Sequence, residues 1–337
     1  MTCTQSSPCT PIHSDRLLIH SIVASEISQE SARRDARAGL SASPKSLPPY
    51  FFYDDRGSQL FEHICQLPEY YPTRTEAAIL KDYAADIVEL TGACELVELG
   101  SGSSVKTRLL LNAYEAADYP LRYLPIDVSA GILEHSANEL LQSYPTLRIH
   151  ALASTYDRGL ESLPATELPN RVIAFIGSSL GNLSPERCHS FLTSIVTALQ
   201  PGEFFLLGID LHKDTAILEA AYDDRQGVTA AFNLNMLRHL NHRFGGNFNL
   251  DCFRHHSFYN ENERQIEIYL KSLVSQSVTL KDLDLTVTFE AGELMMTEIS
   301  RKFDLTQMQQ HLCEIGLTPV RAWTDTNDYF GLVLAQR

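Results

Sequence analysis

The stretch from Glu98 to Lys106, which reads ELGSGSSVK, constrains the fold of this chain more than any other. It follows an apolar run of the kind that forms a buried parallel strand. Its small residues let the backbone turn sharply and approach a ligand. A helical pattern over residues 107–117 comes next. Strand, glycine turn and helix in this order are typical of an open α/β sheet with a nucleotide site at the carboxyl ends of its strands.

Strands and helices alternate around this stretch, which predicts an α/β fold with a Rossmann-like sheet. Predicted strands cover 96–99, 121–127, 147–152, 172–176 and 203–211, and predicted helices cover 73–90, 107–117, 130–143 and 185–199. We place the start of the first helix near Thr73, because Thr73 and Glu76 form a capping-box pattern. A helix over 305–315 and strands over 319–324 and 329–335 complete the predicted sheet.

The residues between the fifth strand and the last helix follow a different pattern. Residues 213–250 are helical and polar, and residues 252–290 alternate as antiparallel strands do. We therefore predict an inserted α+β substrate-binding domain over 213–296, and a cofactor-binding domain over 73–212 and 297–337. Residues 1–15 are predicted to form a mobile tail. Residues 16–72, with helical spacing over 16–40, are predicted to contribute to both domains.

Charge and cysteine content exclude several classes of function. The formal net charge of −15 comes without a concentrated basic patch, so we expect no nucleic-acid partner. The cysteines are dispersed and no Cys/His group has zinc spacing, so we expect reduced thiols and no metal. There is no secretory signal and no apolar run of membrane-spanning length. We expect a cytoplasmic monomer that acts on a small molecule and not at a membrane.

The glycine turn by itself allows two kinds of cofactor. A dinucleotide site requires the pattern G-x-G-x-x-G, but Val105 stands where the third glycine would follow Gly100 and Gly102. S-adenosylmethionine (SAM) has no pyrophosphate and does not need that glycine. Asp127, at the end of the second strand, is placed to accept hydrogen bonds from ribose hydroxyls, although an aspartate can also cap a strand end. The missing glycine and Asp127 together favour a SAM-dependent methyltransferase.

Several longer motifs resemble one family. They are YFFYDDRGSQLFEHI, LPEYYPTRTEAAIL, VELGSGSSVKTR, FIGSSLGNL, AYDDRQGVTAAFN and LMMTEISRKF. Together they resemble the histidine-specific, SAM-dependent methyltransferases, and the resemblance runs from residue 47 to the C-terminus. It implies a class I methyltransferase sheet. It also implies trimethylation of the α-amino group of L-histidine to hercynine, the first step of ergothioneine synthesis, with SAM as cofactor.

The resemblance also implies the residues of the site. Those for SAM are Tyr53, Gly100, Lys106, Asp127, Thr155 and Tyr156. Those for histidine are Tyr70, Gly177, Asn182, Tyr222, Glu298 and Ser300. Ile268, in the alternating run IEIYL, would form an apolar wall of the same pocket. Catalytic roles are expected for Tyr53, Tyr70 and Asn182.

Each of these side chains also has a plainer interpretation. Asn182 and Tyr222 can donate hydrogen bonds to the substrate carboxylate. Asn182 could equally cap the loop after the fourth strand. Tyr53, Tyr70 and Tyr222 could equally be packing residues in aromatic clusters.

Glu298 and Ser300 predict the substrate most directly. On an extended strand, residues two apart face the same way. A carboxylate beside a hydroxyl can bind both ring nitrogens of an imidazole, because the carboxylate accepts from one N–H and the hydroxyl pairs with the other nitrogen. An indole would leave the Glu298 carboxylate without a partner, and a buried polar group without a hydrogen bond costs free energy. The pair therefore favours histidine over tryptophan. The alternative is that Ser300 caps the helix that follows.

One position departs from the family pattern. After the third strand the family usually has an acid followed by an aromatic residue, and the acid accepts from the adenine amine. Here Thr155 precedes Tyr156, and Asp157 lies two residues after Thr155. A hydroxyl can accept the same hydrogen bond without charge. We therefore expect weaker SAM binding than a Thr155→Asp variant would show, with Asp157 as a possible substitute for the acid.

Three other functions stay open from the sequence. They are an α-N-methyltransferase for another amino acid such as a tryptophan derivative, an NAD-dependent oxidoreductase, and a non-catalytic SAM-binding regulator. The absent third glycine argues against the oxidoreductase. The presence of the whole predicted histidine site argues against the regulator.

Overall fold

The computed structural model describes residues 13–21, 29–102 and 104–337. Its strands are β1 (His13–Ser14), β2 (Leu17–Ser21), β3 (Lys45–Ser46), β4 (Cys94–Leu99), β5 (Arg122–Asp127), β6 (Arg148–Ala153), β7 (Asn170–Phe175), β8 (Phe204–Asp210), β9 (Phe253–Asn260), β10 (Gln265–Ser272), β11 (Gln276–Leu280), β12 (Leu285–Phe289), β13 (Leu294–Arg301), β14 (Thr318–Thr324) and β15 (Phe330–Gln336). Its α-helices are α1 (Gln29–Ser41), α2 (Asp55–Cys65), α3 (Tyr71–Thr91), α4 (Thr107–Ala116), α5 (Ala130–Ser143), α6 (Tyr156–Glu161), α7 (Pro185–Ala198), α8 (Thr215–Tyr222), α9 (Val228–Phe244) and α10 (Leu305–Glu314).

The large sheet has nine strands in the order β1-β2-β6-β5-β4-β7-β8-β15-β14. The strands from β2 to β8 in this order run parallel, and β15 and β14 close the sheet in antiparallel fashion. β4 pairs with β5 on one side and with β7 on the other. Open α/β sheets bind ligands at such a switch point, outside the carboxyl ends of the strands. The predicted α/β fold with a Rossmann-like sheet is confirmed.

Helices cover both faces of this sheet. Every residue of β4 and β8 is buried, as in strands between two helical layers. Successive residues of a strand point to opposite faces, so Leu96 packs with α3, α4 and α5, whereas Val97 packs with α6, α7 and α10. The two apolar layers fix the positions of the strand ends at which the site is built.

A smaller sheet has four strands in the order β3-β13-β10-β9, and β11 and β12 pair as a separate hairpin. Its core cluster joins α1 and α2 to α9 and to strands β9 to β13. The end of β13 returns to the large sheet, because the N–H of Phe303 donates to the carbonyl of Asp210 at the end of β8 (2.9 Å). The division into cofactor and substrate domains stays a prediction, and its boundary at residue 297 falls inside β13.

Helix α3 shows that the predicted capping box is wrong. The helix begins at Tyr71, two residues before the predicted start, and its N-cap is Tyr70, without a side-chain cap. The hydroxyl of Thr73 contacts the Sγ atom of Cys65 (3.4 Å), and Glu76 is buried in the site described below. Tertiary contacts have therefore taken over both side chains that the local pattern assigned to a helix start.

The N-terminal region also differs from its prediction. Residues 17–21 were expected to be helical but form strand β2, parallel to β6. Leu17 and Ile19 are buried against the sheet while His20 is exposed, which is the alternation of an edge strand. Residues 1–12 of the predicted mobile tail lie outside the described residues, and His13–Ser14 pair with β2 as β1.

None of the helices in the described parts of the chain is long and apolar enough to cross a membrane. The five cysteines in those parts are free thiols.

Candidate active site

The carboxyl ends of β4 and β5 meet at the glycine turn. The N–H of Gly100 donates to the carbonyl of Ile126 (2.8 Å). Gly100 has a φ of +76°, and a Cβ atom on it would lie 2.6 Å from the hydroxyl of Tyr156. Glycine alone accepts that backbone conformation readily and leaves room for the contact. The turn therefore brings its bare backbone against Tyr156, the aromatic residue predicted after β6.

The carboxylate of Asp127 lies at the same turn. It accepts hydrogen bonds from the N–H groups of Gly102 (3.4 Å) and Ser129 (3.0 Å). Burial raises the pKa of Asp127, and these backbone donors lower it in part. Two N–H donors do not exhaust the lone pairs of a carboxylate. Asp127 can therefore accept further hydrogen bonds, such as those from the ribose hydroxyls of a nucleoside.

Two buried hydroxyls at this edge of the sheet also fit a polar ligand. Ser101 lies in the glycine turn and Ser154 follows β6, and the Oγ atom of each is buried without a hydrogen-bond partner. A buried hydroxyl without a partner costs about 1–3 kcal/mol. A nucleoside that reaches these atoms would relieve that cost. Together with Asp127 and the exposed backbone at Gly100, they make an arrangement that fits SAM.

Thr155 and Tyr156 begin α6 beside this edge. Thr155 is the N-cap residue, but its side chain makes no capping hydrogen bond, so the helix does not use its hydroxyl. Tyr156 packs against Phe175 and Phe191, with ring centroids 5.5 and 6.1 Å apart. Asp157 is exposed on the first turn of the helix. That exposure favours Thr155 over Asp157 in the place of the family's acid.

Lys106 and Gly177 meet at a residue that sequence reasoning missed, Glu76. The buried Glu76 carboxylate accepts from the N–H of Gly177 (2.8 and 2.9 Å) and is ion-paired with Lys106. Gly177 has a φ of +89°, and a Cβ there would lie 3.2 Å from the Nζ atom of Lys106. Glu76 thus joins a predicted cofactor residue to a predicted substrate residue. Its place among Ile79 and Leu80 on the apolar face of α3 was the available signal.

Strand β13 places the predicted ring-binding residues on one face. Glu298 pairs with Ile268, and Ser300 pairs with Ile266 across the strands, in regular register. Residues two apart in such a register face the same side. Ile268 is buried in a cluster that includes Tyr71 and the predicted site residue Tyr222. The structure therefore brings the apolar wall and the polar pair together.

Asn182 binds Glu298 and does not cap its loop. It lies on a short 3-10 turn after β7, and this turn has no side-chain cap. The Asn182 amide donates a hydrogen bond to the Glu298 carboxylate. Burial raises the pKa of Glu298 to about 7, although the Asn182 amide and the charge of Lys302 lower it in part. At neutral pH the carboxyl group is therefore close to the midpoint of its titration.

Ser300 pairs with Tyr222 and does not cap the following helix. The two hydroxyl oxygens are 2.8 Å apart, whereas Asp304 supplies the cap of α10. Burial raises the pKa of the Tyr222 phenol, which the charge of Lys302 only partly opposes, so the phenol keeps its proton at neutral pH.

Tyr53 and Tyr70 line the space between the two halves of the site. Tyr53 is 49% exposed, yet burial and then the charge of Glu298 raise its pKa well above the ordinary value. The half-exposed ring therefore lies close enough to Glu298 to respond to its charge. Tyr70 packs edge-on to Tyr222, with centroids 6.0 Å apart, and burial also raises its pKa. Tyr53 also packs in an aromatic cluster, with its ring centroid 5.9 Å from Phe61 and 5.8 Å from Phe232. The packing role considered for both tyrosines therefore holds, and it does not exclude ligand contact for either.

A second missed group lies behind Ser300 and Tyr222. The buried Lys302 donates hydrogen bonds to Asp210 (2.8 Å), to Tyr222 (2.9 Å) and to Ser300 (2.8 Å). Lys213 binds the other oxygen of Asp210 (2.6 Å). The sequence signal was the spacing of Glu298, Ser300 and Lys302, which continues one face of β13 by two residues.

Comparisons with known proteins identify the family. The family model described as "Histidine-specific methyltransferase, SAM-dependent" matches residues 32–337. The chain is 46% identical to "Histidine N-alpha-methyltransferase" of Mycolicibacterium smegmatis, over 95% of this chain and 99% of that one. It is 30% identical to "Ergothioneine biosynthesis protein 1" of Neurospora crassa, over 85% of this chain and 32% of that one. It is also 30% identical to "4-dimethylallyltryptophan N-methyltransferase easF" of Arthroderma benhamiae, over 88% and 90%.

The match to the family model spans most of the chain and includes the glycine turn, α3 and β13. A SAM-dependent family also agrees with the glycine turn, which lacks the third glycine of a dinucleotide site. The family match and this missing glycine together exclude an NAD-dependent oxidoreductase. The chain belongs to the family of histidine-specific, SAM-dependent methyltransferases.

Proposed function

We propose that this protein methylates the α-amino group of L-histidine, up to the trimethylated product hercynine, in the first step of ergothioneine biosynthesis. The observation that carries the proposal is the placement of Glu298 and Ser300 on one face of β13, with Asn182 and Tyr222 bonded to them. An imidazole has two nitrogens and suits a carboxylate beside a hydroxyl. The names of the mycobacterial and Neurospora relatives support the same substrate and pathway.

SAM supplies an activated, electrophilic methyl group. We assign its ribose to Asp127, its adenine to Thr155 and Tyr156, and its methionine end to Gly100 and the neighbouring turn. Lys106 stays in the proposal as a cofactor residue, with Glu76 fixing its ammonium group. These residues bind and orient, which is the main contribution a protein makes when both reactants must be held in line.

Glu298 accepts a hydrogen bond from one ring N–H of histidine, and the Ser300 hydroxyl pairs with the other ring nitrogen. The Asn182 amide has two N–H hydrogens, of which one is donated to Glu298, and the second is available for the substrate carboxylate. Ile268 closes the apolar side of the ring pocket.

Tyr53 and Tyr70 would act on the amine as hydrogen-bonding groups. Burial raises the pKa of both phenols well above the ordinary value. Each therefore keeps its proton at neutral pH and does not serve as a phenolate base. A neutral phenol oxygen can accept a hydrogen bond from the amine and so aim its lone pair.

The second candidate is α-N-methylation of a tryptophan derivative, which the name of the Arthroderma relative favours. An indole offers one N–H and no acceptor nitrogen, so it would leave Ser300 or Glu298 without its partner. Mass spectrometry after incubation with SAM and either amino acid decides between them. We expect histidine to gain three methyl groups. A gain on tryptophan alone would reverse the assignment, and SAM binding without turnover of either would favour a regulator.

We also propose that the enzyme works as a cytoplasmic monomer. The free thiols of its described cysteines are consistent with a reducing compartment. Light scattering on the purified protein should give the mass of one chain, 37.7 kDa, and a mass twice as large would refute the monomer.

A further inference from the structure

Lys302 lies directly behind the proposed ring-binding residues. Its ammonium group has three hydrogens, and three acceptors lie within 2.9 Å: a carboxylate oxygen of Asp210 and the hydroxyl oxygens of Tyr222 and Ser300. All three ammonium hydrogens of Lys302 are therefore donated to groups of the protein, and none is left for a ligand. Its hydrogen bonds reach the pocket only through the two hydroxyls, and its charge also lowers the pKa of Glu298 in part.

The amine of Lys302 is protonated at neutral pH. Burial alone would lower the pKa of Lys302, but the Asp210 carboxylate outweighs burial and raises it. The titratable and charged groups that face it or its partners include Asp210, Lys213, Tyr70, Tyr71, Tyr222, Tyr259, Glu298 and Asp325. Near pH 7, Asp210, Lys213 and Lys302 together carry a net charge of +1 behind Ser300 and Tyr222. Burial lowers the pKa of Lys213 to about 8, so this net charge decreases toward the upper end of the pH range tested below. Glu298 is the negative group on the opposite side of the proposed ring position.

A count of hydrogens shows what Ser300 and Tyr222 can offer. Each hydroxyl oxygen accepts from Lys302, so each must direct its own hydrogen elsewhere. One of the two hydrogens lies in the bond between the two oxygens (2.8 Å). A phenol is a stronger acid than an aliphatic hydroxyl, so Tyr222 is the donor in that bond. Ser300 then accepts twice, and its own hydrogen is left for a ligand.

We propose that Lys302 is a positioning residue that fixes Ser300 as a hydrogen-bond donor and thereby selects the neutral form of the histidine ring. The unprotonated ring nitrogen accepts from Ser300, and the N–H on the other nitrogen donates to Glu298. A protonated ring would direct a second N–H at the Ser300 hydroxyl, which is itself a donor and is bonded to the buried Lys302 cation. Two donors would then face each other, so this form is disfavoured. This inference rests on the proposed function and adds the ionisation state in which the substrate is bound.

The charges on the two sides of the ring oppose each other. The Glu298 carboxylate by itself favours a protonated ring, since an opposite charge at close range stabilises the cation. Lys302 acts in the reverse sense through one hydroxyl. Without Lys302, nothing opposes the Glu298 carboxylate in this way. The pKa of the bound ring should therefore rise.

The test is nitrogen NMR of ring-15N-labelled histidine bound to the full-length protein with S-adenosylhomocysteine, from about pH 8 to about pH 6. Free imidazole titrates within this range, with a pKa of about 6.5. In the wild-type complex we expect one protonated and one unprotonated ring nitrogen throughout. Two protonated nitrogens at about pH 7 would overturn the inference, and this measurement needs no variant to fold.

Two variants separate the role of Lys302 from a structural one. In Lys302→Met, the bound ring should titrate at least about one pH unit higher than in the wild type, a change of about tenfold in proton affinity. Lys213→Met is the matched control, because Lys213 binds the same Asp210 carboxylate without contacting Ser300 or Tyr222. Its bound ring should stay neutral. Equal titration of the ring in wild type and Lys302→Met would contradict the inference.

The same NMR experiment distinguishes a wrong substrate assignment from a wrong role of Lys302. If labelled histidine does not bind at all in the presence of S-adenosylhomocysteine, the substrate assignment is wrong. If histidine binds with a protonated ring, the substrate assignment stands and only the role of Lys302 is wrong. Calorimetry of S-adenosylhomocysteine binding to Lys302→Met, expected to match the wild type, shows that the variant is folded.

Discussion

The two carboxyl groups Glu98 and Glu298 have the same raised pKa of about 7, and in both burial is the cause. Neutral groups bind each of them. Glu98 accepts from Thr107 and Tyr123, and Glu298 accepts from Asn182. Neutral donors compensate burial less than a direct ion pair does. Of the two, Glu298 lies where we place the substrate, so its titration should appear in substrate binding.

The first prediction concerns the pH dependence of histidine binding. Below about pH 7 the Glu298 carboxyl group of the free enzyme takes up a proton, loses its negative charge and becomes a weaker acceptor for the ring N–H. kcat/KM for histidine should fall as pH decreases through 7, beyond the part that the protonation of histidine itself explains. Glu298→Gln should lower kcat/KM by about 10–100-fold at pH 8 and remove the extra pH dependence.

The matched measurement is SAM binding by calorimetry, which Glu298→Gln should leave within about twofold. An unchanged pH profile in Glu298→Gln would show that another group controls histidine binding.

The second prediction concerns the departure at Thr155. A charge-assisted hydrogen bond contributes more than a neutral one by about 1 kcal/mol. Thr155→Asp should therefore tighten SAM binding by about fivefold. Asp157→Asn is the control and should have no effect, because the Asp157 side chain is exposed on the first turn of α6. Calorimetry that gives equal or weaker binding for Thr155→Asp would refute the assignment of Thr155 to adenine.

At the scale of elements, the site depends on contacts between segments that are far apart in sequence. Helix α3, the loop before α4 and the loop after β7 meet at the Glu76 carboxylate. A Cβ atom on Gly208 of β8 would lie 2.1 Å from the same carboxylate. This position of the strand therefore has no room for a side chain. Glu76 therefore fixes the relative positions of three elements that carry predicted ligands.

The third prediction follows from this junction. Glu76→Gln keeps the shape of the side chain but leaves Lys106 without its counter-charge. We expect both SAM and histidine binding to weaken, each by about tenfold, because Lys106 and Gly177 are both displaced. Glu89→Gln, on the exposed side of α3, should bind both ligands as the wild type does. Loss of only one of the two affinities would show that Glu76 serves one half of the site.

At the scale of the whole molecule, Asp210 joins the two sheets. It lies at the end of β8 and is fully buried. Its carboxylate binds Lys302 after β13, Lys213 before α8 and Tyr71 at the start of α3. A buried carboxylate with two lysines is costly to assemble and more costly to break.

The fourth prediction is a large loss of stability in Asp210→Asn. The variant leaves Lys302 and Lys213 buried without their carboxylate, which should lower the free energy of unfolding by about 3–5 kcal/mol. Urea denaturation measures this loss. Asp55→Asn, at an exposed carboxylate on α2, should change stability by less than about 0.5 kcal/mol. A loss of similar size in both variants would remove the special role of Asp210.

Short-range patterns in the sequence predicted much of this protein. The period-2 and period-3.6 patterns from residue 94 onward placed the strands of the sheet and the helices between them, because burial of alternate residues is written locally in the chain. The glycine turn, the missing third glycine and Asp127 indicated SAM. The resemblance to the histidine-specific family singled out Glu298 and Ser300, and their spacing is consistent with an imidazole. The same local rules gave wrong answers at Thr73–Glu76 and at residues 17–21, where distant partners override the local preference.

Tertiary structure decided which polar side chains are buried together. Local patterns place Glu76 on the apolar face of α3 and Lys302 on one face of β13, but nothing local shows which distant side chains they bind, such as the Tyr222 hydroxyl 80 residues from Lys302. The same holds for Asp210 and Lys213. The free energy of a buried charge depends on the atoms around it, and only the folded chain supplies those atoms. The sequence by itself therefore determined the sheet, the cofactor and the kind of ring to be bound, whereas the fold determined the charges that hold and polarise the site.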